Sequence, residues 1–428
     1  MNIDSLYSEF QKIKKISIDT RKSVEGSIFF CLKGPNFNGN EFAQEALKKG
    51  AKLIVTDEKK NANEKKFYLV DDTLKCLQKL AAKHRKELKI PVLAITGTNG
   101  KTSTKNLIYE ILNQKYNVIK TTGNLNNHIG LPLSILSIDK TYDLAVLEFG
   151  ASKLGDITEL CEIGQPNYGI ITNIGKAHLN EFITVDNIIK TKTELWKYLV
   201  NNNGTIFLNS YDKILNKTHQ ENMVFSMYNK FIFYNKKEEN IKLKSSSPFL
   251  EINWNNKIIK TKIVGDYNLN NIIASVVIGK FFSIKKENII KVLQKNSFKN
   301  NRSQYIKTNL NEIILDAYNA NPTSMKYSIS SFMNIKSTKE KILIIGDMLE
   351  LGKKTKQYHN EIIDLIKENN LNNCFFVGSI FNQIDCNYKK FENKEKLESF
   401  LKKRKLKDSI ILIKGSRKMK LETLKKLL

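Results

Sequence analysis

Short apolar runs alternate with longer amphipathic stretches along most of this chain. Strands that are buried on both faces show such continuous apolar runs, because helices cover a parallel sheet on either side. A helix is predicted from Thr102 and another over 186–200. The alternation predicts an α/β fold with mostly parallel sheets. The central strands are predicted at 92–96, 144–149, 169–173 and 205–209.

Two further parts flank this central series. Before it, strand-like runs at 27–30 and 52–55 enclose a helical stretch near 41–49. After it, the pattern weakens over 213–263 into short strands and Asn/Lys-rich turns, and a buried helix is predicted at 268–282. A last series of strands and helices has its strands at 313–316, 342–346, 374–378 and 410–414.

Three domains are expected from this organisation and from the length of 428 residues, because one domain usually takes roughly 100–200 residues. We place a small α/β domain at 1–88 and a Rossmann-like α/β domain at 298–428. Between them, 89–297 is predicted to form a central P-loop-type ATPase domain with a mostly parallel sheet.

Composition limits the class of partner. An apolar fraction of 41% is sufficient for packed cores. The formal net charge of +27 comes from basic residues spread along the whole chain, and no nucleic-acid-binding motif accompanies them. We therefore expect no nucleic-acid partner, although a basic surface would favour small anionic substrates.

Location follows from three negative features of the sequence. The first five residues lack a basic-then-apolar signal segment, and the apolar run 272–278 is too short to span a bilayer. The five cysteines form no C-x-x-C pair, which is typical of reduced thiols. We expect a monomer in the cytoplasm, without membrane insertion.

A glycine-bearing turn between a predicted strand and a predicted helix carries the strongest chemical signal. Glycines let backbone N–H groups close on a phosphate, and the helix N-terminus adds partial positive charge. Lys101 is expected to reach the β- and γ-phosphates, and the Thr102 hydroxyl to bind Mg²⁺. Ile95 replaces the first glycine of the general P-loop, but the strand–turn–helix order still predicts ATP or GTP binding. The predicted phosphate contacts are Gly97, Thr98, Asn99, Gly100, Lys101, Thr102 and Ser103.

Polar residues at the neighbouring strand ends suggest a metal site. Glu148 closes one apolar run, Asn173 ends the next, and His178 follows five residues later. In parallel sheets, ligands bind beyond the carboxyl ends of the strands. A carboxylate and an imidazole beside the phosphate turn are predicted to bind a divalent metal and to position a second, phosphate-bound Mg²⁺. A solvated strand-end charge and an ordinary loop histidine are the alternative interpretations.

Four longer strings, together with the phosphate turn, resemble the Mur ligases, the cytoplasmic enzymes that build the peptide of the bacterial cell-wall precursor. The resemblance covers nearly the whole chain. Its strings are most similar to those of the family member that joins D-alanyl-D-alanine to UDP-N-acetylmuramoyl-tripeptide, and those two molecules are the implied partners. The strings are GNLNNHIGLP at 123–132, YNANP at 318–322, GDMLELG at 346–352 and KGSR at 414–417.

The family's chemistry implies cofactors and site residues. A substrate carboxylate is activated as an acyl phosphate, and an incoming amine then forms the amide, with ADP and phosphate as products. The resemblance implies ATP and two Mg²⁺ ions, with a carbamoylated Lys192 as a ligand of the second ion. The implied catalytic residues are Lys101, Lys192 and His178, and the implied metal ligands are Thr102, Glu148, His178 and Lys192.

Nucleotide and substrate contacts transfer in the same way. Asn271 is expected near the adenine, Arg302 near the phosphates and Asp316 near the ribose hydroxyls. The domain at 1–88 is expected to bind the UDP-muramoyl substrate, and the third domain to bind the dipeptide. The expected substrate contacts are Asp19, Arg21, Asn124, Asn126, Asn127, Asn319, Asn321, Lys414 and Arg417.

Departures from the family pattern and alternative functions remain open. Tyr267 replaces a histidine, Tyr211 stands where an aspartate is usual, and Asn40 replaces a histidine of the uridine-binding part. The alternatives are a sister Mur ligase, a folylpolyglutamate-synthase-like ligase, or a P-loop ATPase module that is not a ligase. Phosphate binding alone would not require the strings at 123–132 and 346–352. The third residue of the peptide, diaminopimelate or lysine, is not determined by the sequence.

Overall fold

The computed structural model describes residues 2–59, 65–177, 179–235, 237 and 239–428. Within these residues the chain is α/β, as the apolar pattern predicts, and the sheets fall into three domains along the chain. Among the described helices, none is both long and apolar enough to cross a membrane. All five cysteines are free thiols, and Cys386 is the one that is not fully buried.

The first domain has a parallel sheet with the strand order β1-β2-β5-β6. Its strands are short, and β2 is buried along its whole length. Its first and third helices were not predicted from the sequence, although their apolar positions recur at helical spacing. The elements are α1 (Ile3–Ile13), β1 (Ile16–Ser17), β2 (Ile28–Phe30), β3 (Lys33–Gly34), β4 (Phe37–Asn38), α2 (Ala43–Lys48), β5 (Leu53–Thr56), β6 (Phe67–Leu69) and α3 (Thr73–Glu87).

The central domain has a six-stranded sheet, entirely parallel, with the order β12-β11-β10-β7-β9-β8. Its strands are β7 (Val92–Thr96), β8 (Val118–Lys120), β9 (Leu144–Glu148), β10 (Tyr168–Ile171), β11 (Thr205–Asn209) and β12 (Phe231–Tyr234). Its helices are α4 (Lys101–Leu112), α5 (Gly130–Leu136), α6 (Asp156–Gly164), α7 (Leu179–Phe182), α8 (Val185–Asn201), α9 (Lys213–Glu221), α10 (Met223–Met227), α11 (Leu269–Phe281) and α12 (Lys286–Lys295).

Register places the carboxyl ends of the central strands together. Ile95 of β7 lies opposite Glu148 of β9 on one side and opposite Ile170 of β10 on the other. The loops after these three strands therefore leave the sheet at the same edge. This edge carries the phosphate turn, the Glu148 carboxylate and Asn173.

The segment 213–227 differs from the expectation of short strands. Asp212 Oδ1 accepts hydrogen bonds from the backbone N–H groups of Ile214 and Leu215, and this caps α9. Asn222 caps α10 in the same way through the N–H of Phe225. Caps of this kind stabilise the start of a helix, and a strand would not use these hydrogen bonds. A three-stranded antiparallel sheet follows, made of β13 (Ile241–Ser246), β14 (Phe249–Trp254) and β15 (Lys257–Val264).

The third domain has a six-stranded sheet with the order β16-β17-β21-β18-β19-β20, in which only β16 is antiparallel to its neighbour. Asp316 at the end of β17 lies opposite Lys414 at the end of β21. The elements are β16 (Gln304–Lys307), β17 (Asn311–Asp316), α13 (Pro322–Met333), β18 (Glu340–Gly346), α14 (Thr355–Glu368), β19 (Cys374–Val377), α15 (Ser379–Asn382), β20 (Lys389–Phe391), α16 (Lys394–Lys403) and β21 (Ser409–Lys414).

Helix α3 joins the first domain to the second. It packs on α1 and also on α5 and α6 of the central domain. Near its end the Arg85 side chain is 5% exposed and donates hydrogen bonds to the carbonyls of Gly164 and Gln165 and to Asn167 Oδ1, each at 3.0 Å. One guanidinium thus satisfies the backbone that leaves the end of α6.

We predict that Arg85→Ala destabilises the chain by about 2–4 kcal/mol, because it leaves buried acceptors without a donor. Thermal unfolding should show a lower midpoint than the wild type. Lys86→Ala, at the exposed neighbouring position, is the matched control and should unfold like the wild type. Equal midpoints for the two variants would show that the Arg85 contacts contribute nothing to stability.

Candidate active site

The phosphate turn approaches two neighbouring elements so closely that it needs glycine at two positions. Gly97 has φ 137° and Gly100 has φ 80°, backbone conformations that side chains rarely tolerate. A Cβ on Gly97 would collide with Thr172 Oγ1, and one on Gly100 would lie 2.8 Å from Asn271 Oδ1. The turn is therefore wedged between the end of β10 and the start of α11.

Hydrogen bonds from the end of β10 fix the shape of the turn. The N–H of Thr98 donates to the Asn173 carbonyl at 2.9 Å, and the N–H of Asn99 donates to Asn173 Oδ1 at 3.1 Å. In return, Asn173 Nδ2 and Thr172 Oγ1 donate to the Asn99 carbonyl at 2.9 and 2.6 Å. Asn173 thus holds the turn through both ends of its amide.

Lys101 lies over the turn that it follows. Its Nζ donates to the carbonyls of Gly97 and Thr98 at 2.7 and 3.2 Å. Burial lowers the pKa of this amine and the nearby Arg302 lowers it further, whereas the Glu148 carboxylate opposes the shift. The Lys101 ammonium therefore lies at the phosphate turn, as its position in the sequence predicts.

Glu148 is a buried carboxylate with three partners. It is 3% exposed; Oε2 accepts from Thr102 Oγ1 at 2.9 Å and lies 3.3 Å from Lys105 Nζ, and Oε1 accepts from Asn126 Nδ2 at 2.9 Å. Burial disfavours the charged form, but the cations Lys105, Lys101 and Arg302 outweigh it and keep the pKa of Glu148 below its usual value. The carboxylate is therefore ionised and beside the Thr102 hydroxyl.

These residues fit a nucleotide with Mg²⁺. The two glycines leave the cradle free of side chains, and Asn99 Nδ2 is a buried donor that has no hydrogen-bond partner within the described residues. A hard cation takes oxygen ligands such as the Thr102 hydroxyl and Glu148 carboxylate. Within the described ranges, no group of three or more His, Cys, Asp or Glu side chains could form an all-protein metal cage.

Lys192, at the middle of α8, is a buried lysine with a lowered pKa. The side chain is 3% exposed, and its Nζ lies 5.7 Å from the centroid of the Phe182 ring. Burial and the nearby Lys101 cation lower its pKa to about 7, against the opposing effect of Asp156 and Glu194. Desolvation thus favours the neutral form of this amine. The predicted metal ligand His178 lies outside the described residues, so its role stays a prediction.

The predicted nucleotide residues lie around the same cleft. Asn271 packs against Gly100, and its amide accepts from Thr104 Oγ1 and donates to Asn268 Oδ1. Arg302 stacks its guanidinium 3.5 Å from the centroid of the Tyr318 ring. Asp316 accepts from the N–H of Ser303 at 3.0 Å and from Lys414 Nζ at 2.6 Å. Asn271 thus supports the phosphate turn from behind, a position that its expected contact with adenine did not imply.

The third domain contributes its strand ends to this cleft. Lys414 is 2% exposed and paired with Asp316, so its ammonium is a buried, neutralised charge in this structure. Arg417 is exposed and donates from Nη1 to the Tyr318 hydroxyl at 3.1 Å. Asn321 donates from Nδ2 to Asn99 Oδ1 at 2.8 Å, and Asn319 Oδ1 accepts from the N–H of Ala320.

The string 123–132 divides into residues that face the site and a residue that shapes the backbone. Asn126 contacts Glu148, and Asn124 is exposed and lines a smaller cleft with Arg302 and Arg417. Asn127 Oδ1 instead accepts from the N–H groups of Ile129 and Gly130, at the start of α5. The contacts of Asn127 are thus local and structural.

Asp19 and Arg21, the substrate contacts predicted in the first domain, are not among the residues that line the nucleotide cleft. Asp19 and Arg21 pair with each other through two hydrogen bonds of 2.9 and 3.0 Å, and this pairing lowers the pKa of Asp19 to about 2. Asn40 is buried, and its amide binds Asn38, Thr56 and Asp57. A UDP-binding role for Asp19 and Arg21 stays a prediction.

One cleft of about 1820 Å³ gathers most of these side chains. Its walls come from the phosphate turn, from the start of α11, from the loop after β11 with Tyr211 and Asp212, and from the strand ends of the third domain. Tyr267, at the site of the expected histidine, also lines it, and its hydroxyl bonds Ser303 Oγ at 2.6 Å. The residues shared with the predicted site are Thr98, Asn99, Gly100, Lys101, Thr102, Ser103, Asn126, Glu148, Asn271, Arg302, Asp316, Asn319, Asn321 and Lys414.

No individual role at the site was predicted from the sequence for two of its residues. Lys105 is 1% exposed and donates to the Thr121 carbonyl at 2.8 Å as well as facing Glu148. Its position four residues after Lys101, on the same face of α4, is the signal that identifies it. Tyr318 lies between Arg302 and Arg417, and only their spatial closeness reveals that role.

Several hydrogen bonds hold the string 346–352 in place, although it is not among the residues that line the cleft. Asp347 is buried, and it accepts from the N–H groups of Ile380 and Phe381 at 3.0 Å. The fully buried His359 accepts at Nε2 from the N–H of Met348 at 3.0 Å. The Leu349 N–H donates to Ser416 Oγ at 3.0 Å, so this string is fastened to the string 414–417.

Comparison with known proteins finds matches in all three parts of the chain. The models "Mur ligase family, catalytic domain", "Mur ligase middle domain" and "Mur ligase, glutamate ligase domain" match residues 12–94, 95–279 and 301–417. The UDP-N-acetylmuramoyl-tripeptide–D-alanyl-D-alanine ligase of Bacillus subtilis is 32% identical over 97% of this chain and 93% of its own length.

Solved structures extend the likeness to the fold. MurF of Acinetobacter baumannii has a TM-score of 0.86 at 28% identity, covering 97% of this chain and 93% of that one. The MurF ligase of Thermotoga maritima, in complex with ADP, has a TM-score of 0.84 at 28% identity, with 97% of each chain covered. With near-complete coverage by a relative above 30% identity and matches in every domain, this chain belongs to the Mur ligase family.

Proposed function

We propose that this chain is an ATP-dependent, ADP-forming ligase that joins D-alanyl-D-alanine to UDP-N-acetylmuramoyl-tripeptide in peptidoglycan precursor synthesis. One observation carries the proposal: a single cleft is lined by the phosphate turn of the central domain and by strand ends of the third domain. The relatives at about 30% identity bear the name of this ligase over nearly their full length. A second substrate can thus meet an activated first substrate at the phosphate site.

The reaction needs activation of a carboxylate and then attack by an amine. The carboxylate of the tripeptide takes the γ-phosphoryl group of ATP and becomes an acyl phosphate, with ADP as leaving group. The free amine of the dipeptide then attacks the acyl carbon, and phosphate leaves. Lys101 and Arg302 place positive charge where the phosphoryl oxygens gather charge.

Residues of the central domain are suited to hold Mg²⁺. Thr102 and Glu148 would bind one ion, and a carbamoylated Lys192 with His178 would bind a second. When bound, Mg²⁺ would neutralise phosphate charge and polarise the transferred phosphoryl group. Carbamoylation joins a neutral amine to CO₂ and releases one proton. The lowered pKa of Lys192 supports this step, because the amine must be neutral to react.

The roles of the substrate-binding residues are part of the same proposal. Asp19 and Arg21 would contact the UDP moiety, Asn124 and Asn126 the muramoyl peptide, and Arg417 the dipeptide carboxylate. The proposal includes a monomer in the cytoplasm. The five free thiols support the cytoplasmic location. A P-loop ATPase without ligase activity would not need the strand ends of the third domain in the nucleotide cleft.

The proposal predicts a strict requirement for a dipeptide. ADP formation with UDP-N-acetylmuramoyl-tripeptide should depend on D-alanyl-D-alanine, whereas diaminopimelate, lysine, glutamate and L-alanyl-L-alanine should stimulate it far less. Coupled-enzyme detection of ADP, with mass analysis of the nucleotide product, measures this. Efficient turnover with a single amino acid would assign the chain to a sister ligase instead.

Lys192 should carry a carbamate. Incubation with ¹³C-bicarbonate should give a carbamate carbon signal in NMR that is absent from Lys192→Ala. We expect Lys192→Ala to be nearly inactive and to regain part of its activity with a short carboxylic acid, which can occupy the space of the missing carbamate. Lys190→Ala, two residues earlier on the same helix and exposed, is the control. Normal turnover by Lys192→Ala would refute the carbamate.

Arg417 should act on the dipeptide. We expect Arg417→Ala to raise the dipeptide KM roughly tenfold with a smaller effect on kcat, because a clamp on the ground-state carboxylate contributes to binding. Steady-state kinetics with varied D-alanyl-D-alanine measure this. Arg404→Ala, at an exposed position after α16, is the control. An unchanged KM would remove Arg417 from the dipeptide site.

A further inference from the structure

The Asn321 side chain of the third domain makes two hydrogen bonds, one within its own domain and one to the phosphate turn. Asn321 caps α13, with its Oδ1 accepting from the N–H of Ser324 at 2.8 Å. Because Oδ1 is committed to the cap, Nδ2 is the end left to reach across to the central domain. It donates to Asn99 Oδ1 at 2.8 Å. Asn321 therefore caps its own helix through Oδ1 and binds the phosphate turn through Nδ2.

This contact allows Asn99 only one amide orientation. A half-turn of the Asn99 amide would point its Nδ2 at the Nδ2 of Asn321, and two donors would oppose each other. Asn99 must present Oδ1 to Asn321, which directs its own Nδ2 away. That nitrogen is buried and has no hydrogen-bond partner in the part of the chain described. Orphaned buried donors are rare in proteins because they are costly.

The place of this orphaned donor suggests its partner. Asn99 lines the cleft with its neighbours Lys101 and Thr102, where an anionic ligand is expected. The start of α13 is also fastened to the loop after β10, because the N–H of Lys176 donates to Thr323 Oγ1 at 3.0 Å. Asn321 thus stands at a fixed contact between the two domains and not at a free surface.

We propose that Asn321 is a positioning residue for phosphoryl transfer. It orients the Asn99 amide so that Nδ2 donates to a phosphoryl oxygen of ATP, and it does so while the third domain is docked on the phosphate turn. The phosphate cradle is then complete only when the domain that brings the amine substrate is in place. This inference rests on the proposed function, and it replaces direct contact of Asn321 with the dipeptide.

Asn321→Asp tests the orientation with little change of shape. A carboxylate still caps Ser324 N–H, but it presents an acceptor where the wild type has a donor, so Asn99 turns its Nδ2 toward it. We expect affinity for the ATP analogue AMP-PNP with Mg²⁺ to fall about tenfold and kcat to fall about 10- to 100-fold. The dipeptide KM should not change. Asn393→Asp is the matched control, because Asn393 caps α16 through Lys396 N–H at 3.0 Å in the same domain.

A double-mutant cycle with Asn99→Ala identifies the route of the effect. If Asn321 acts through Asn99, adding Asn321→Asp to Asn99→Ala costs little further affinity or rate. Multiplicative losses would overturn the inference, and so would a raised dipeptide KM with unchanged AMP-PNP affinity. Calorimetric binding of AMP-PNP needs no ligation. A chain that shows the coupling yet never ligates the dipeptide would therefore contradict the proposed function and leave this inference standing.

Discussion

The close approach of the phosphate turn to β10 and α11 is the constraint on which the rest of the site depends. Gly97 and Gly100 meet Thr172 and Asn271 at distances that exclude any side chain. This close approach holds the turn and Lys101 at the edge where β7, β9 and β10 end. The position of the Glu148 carboxylate then follows from strand register, and the third domain docks on the fixed turn through Asn321.

Burial of charge gives the cleft its chemical character. Lys105 and Lys414 are almost fully buried, and each faces one carboxylate, Glu148 or Asp316. Lys192 adds a further buried amine beside the partly exposed Lys101, and desolvation lowers the pKa of both. A group of amines with few anions is costly without ligand and favourable around a polyphosphate. Desolvation makes the pair Lys105–Glu148 sensitive to substitution. It also favours the neutral form of Lys192.

Much of the architecture could be predicted from the sequence, because strands buried on both faces leave continuous apolar runs. The runs that became β7, β9, β11 and β18 were visible for that reason. The segment 213–227 was expected to form short strands, but Asp212 and Asn222 cap two short helices there, and the first of them buries Leu215 and His219 on one face. The phosphate turn was predictable because its chemistry is contiguous in sequence.

Residues whose role depends on partners distant in the sequence or on burial were the hardest to predict. Tyr318 gains its role by lying between Arg302 and Arg417, and Asn321 by meeting Asn99, 222 positions away. Lys192 had no distinguishing feature in the sequence beyond its family resemblance, and burial together with the nearby Lys101 cation makes it chemically unusual. The contacts made by Asp19 and Asn40 were equally hard to predict, because those side chains bind partners within their own domain.

Transfer of oxygen from the tripeptide carboxylate to phosphate tests the central claim most directly. With ¹⁸O in the reacting carboxylate, an acyl phosphate forms with one labelled oxygen bridging carbon and phosphorus. Attack by the dipeptide amine then expels that oxygen with the phosphate. The proposed reaction predicts one ¹⁸O atom in each phosphate released during ligation. Unlabelled phosphate, with ligation proceeding, would contradict carboxylate activation at this site.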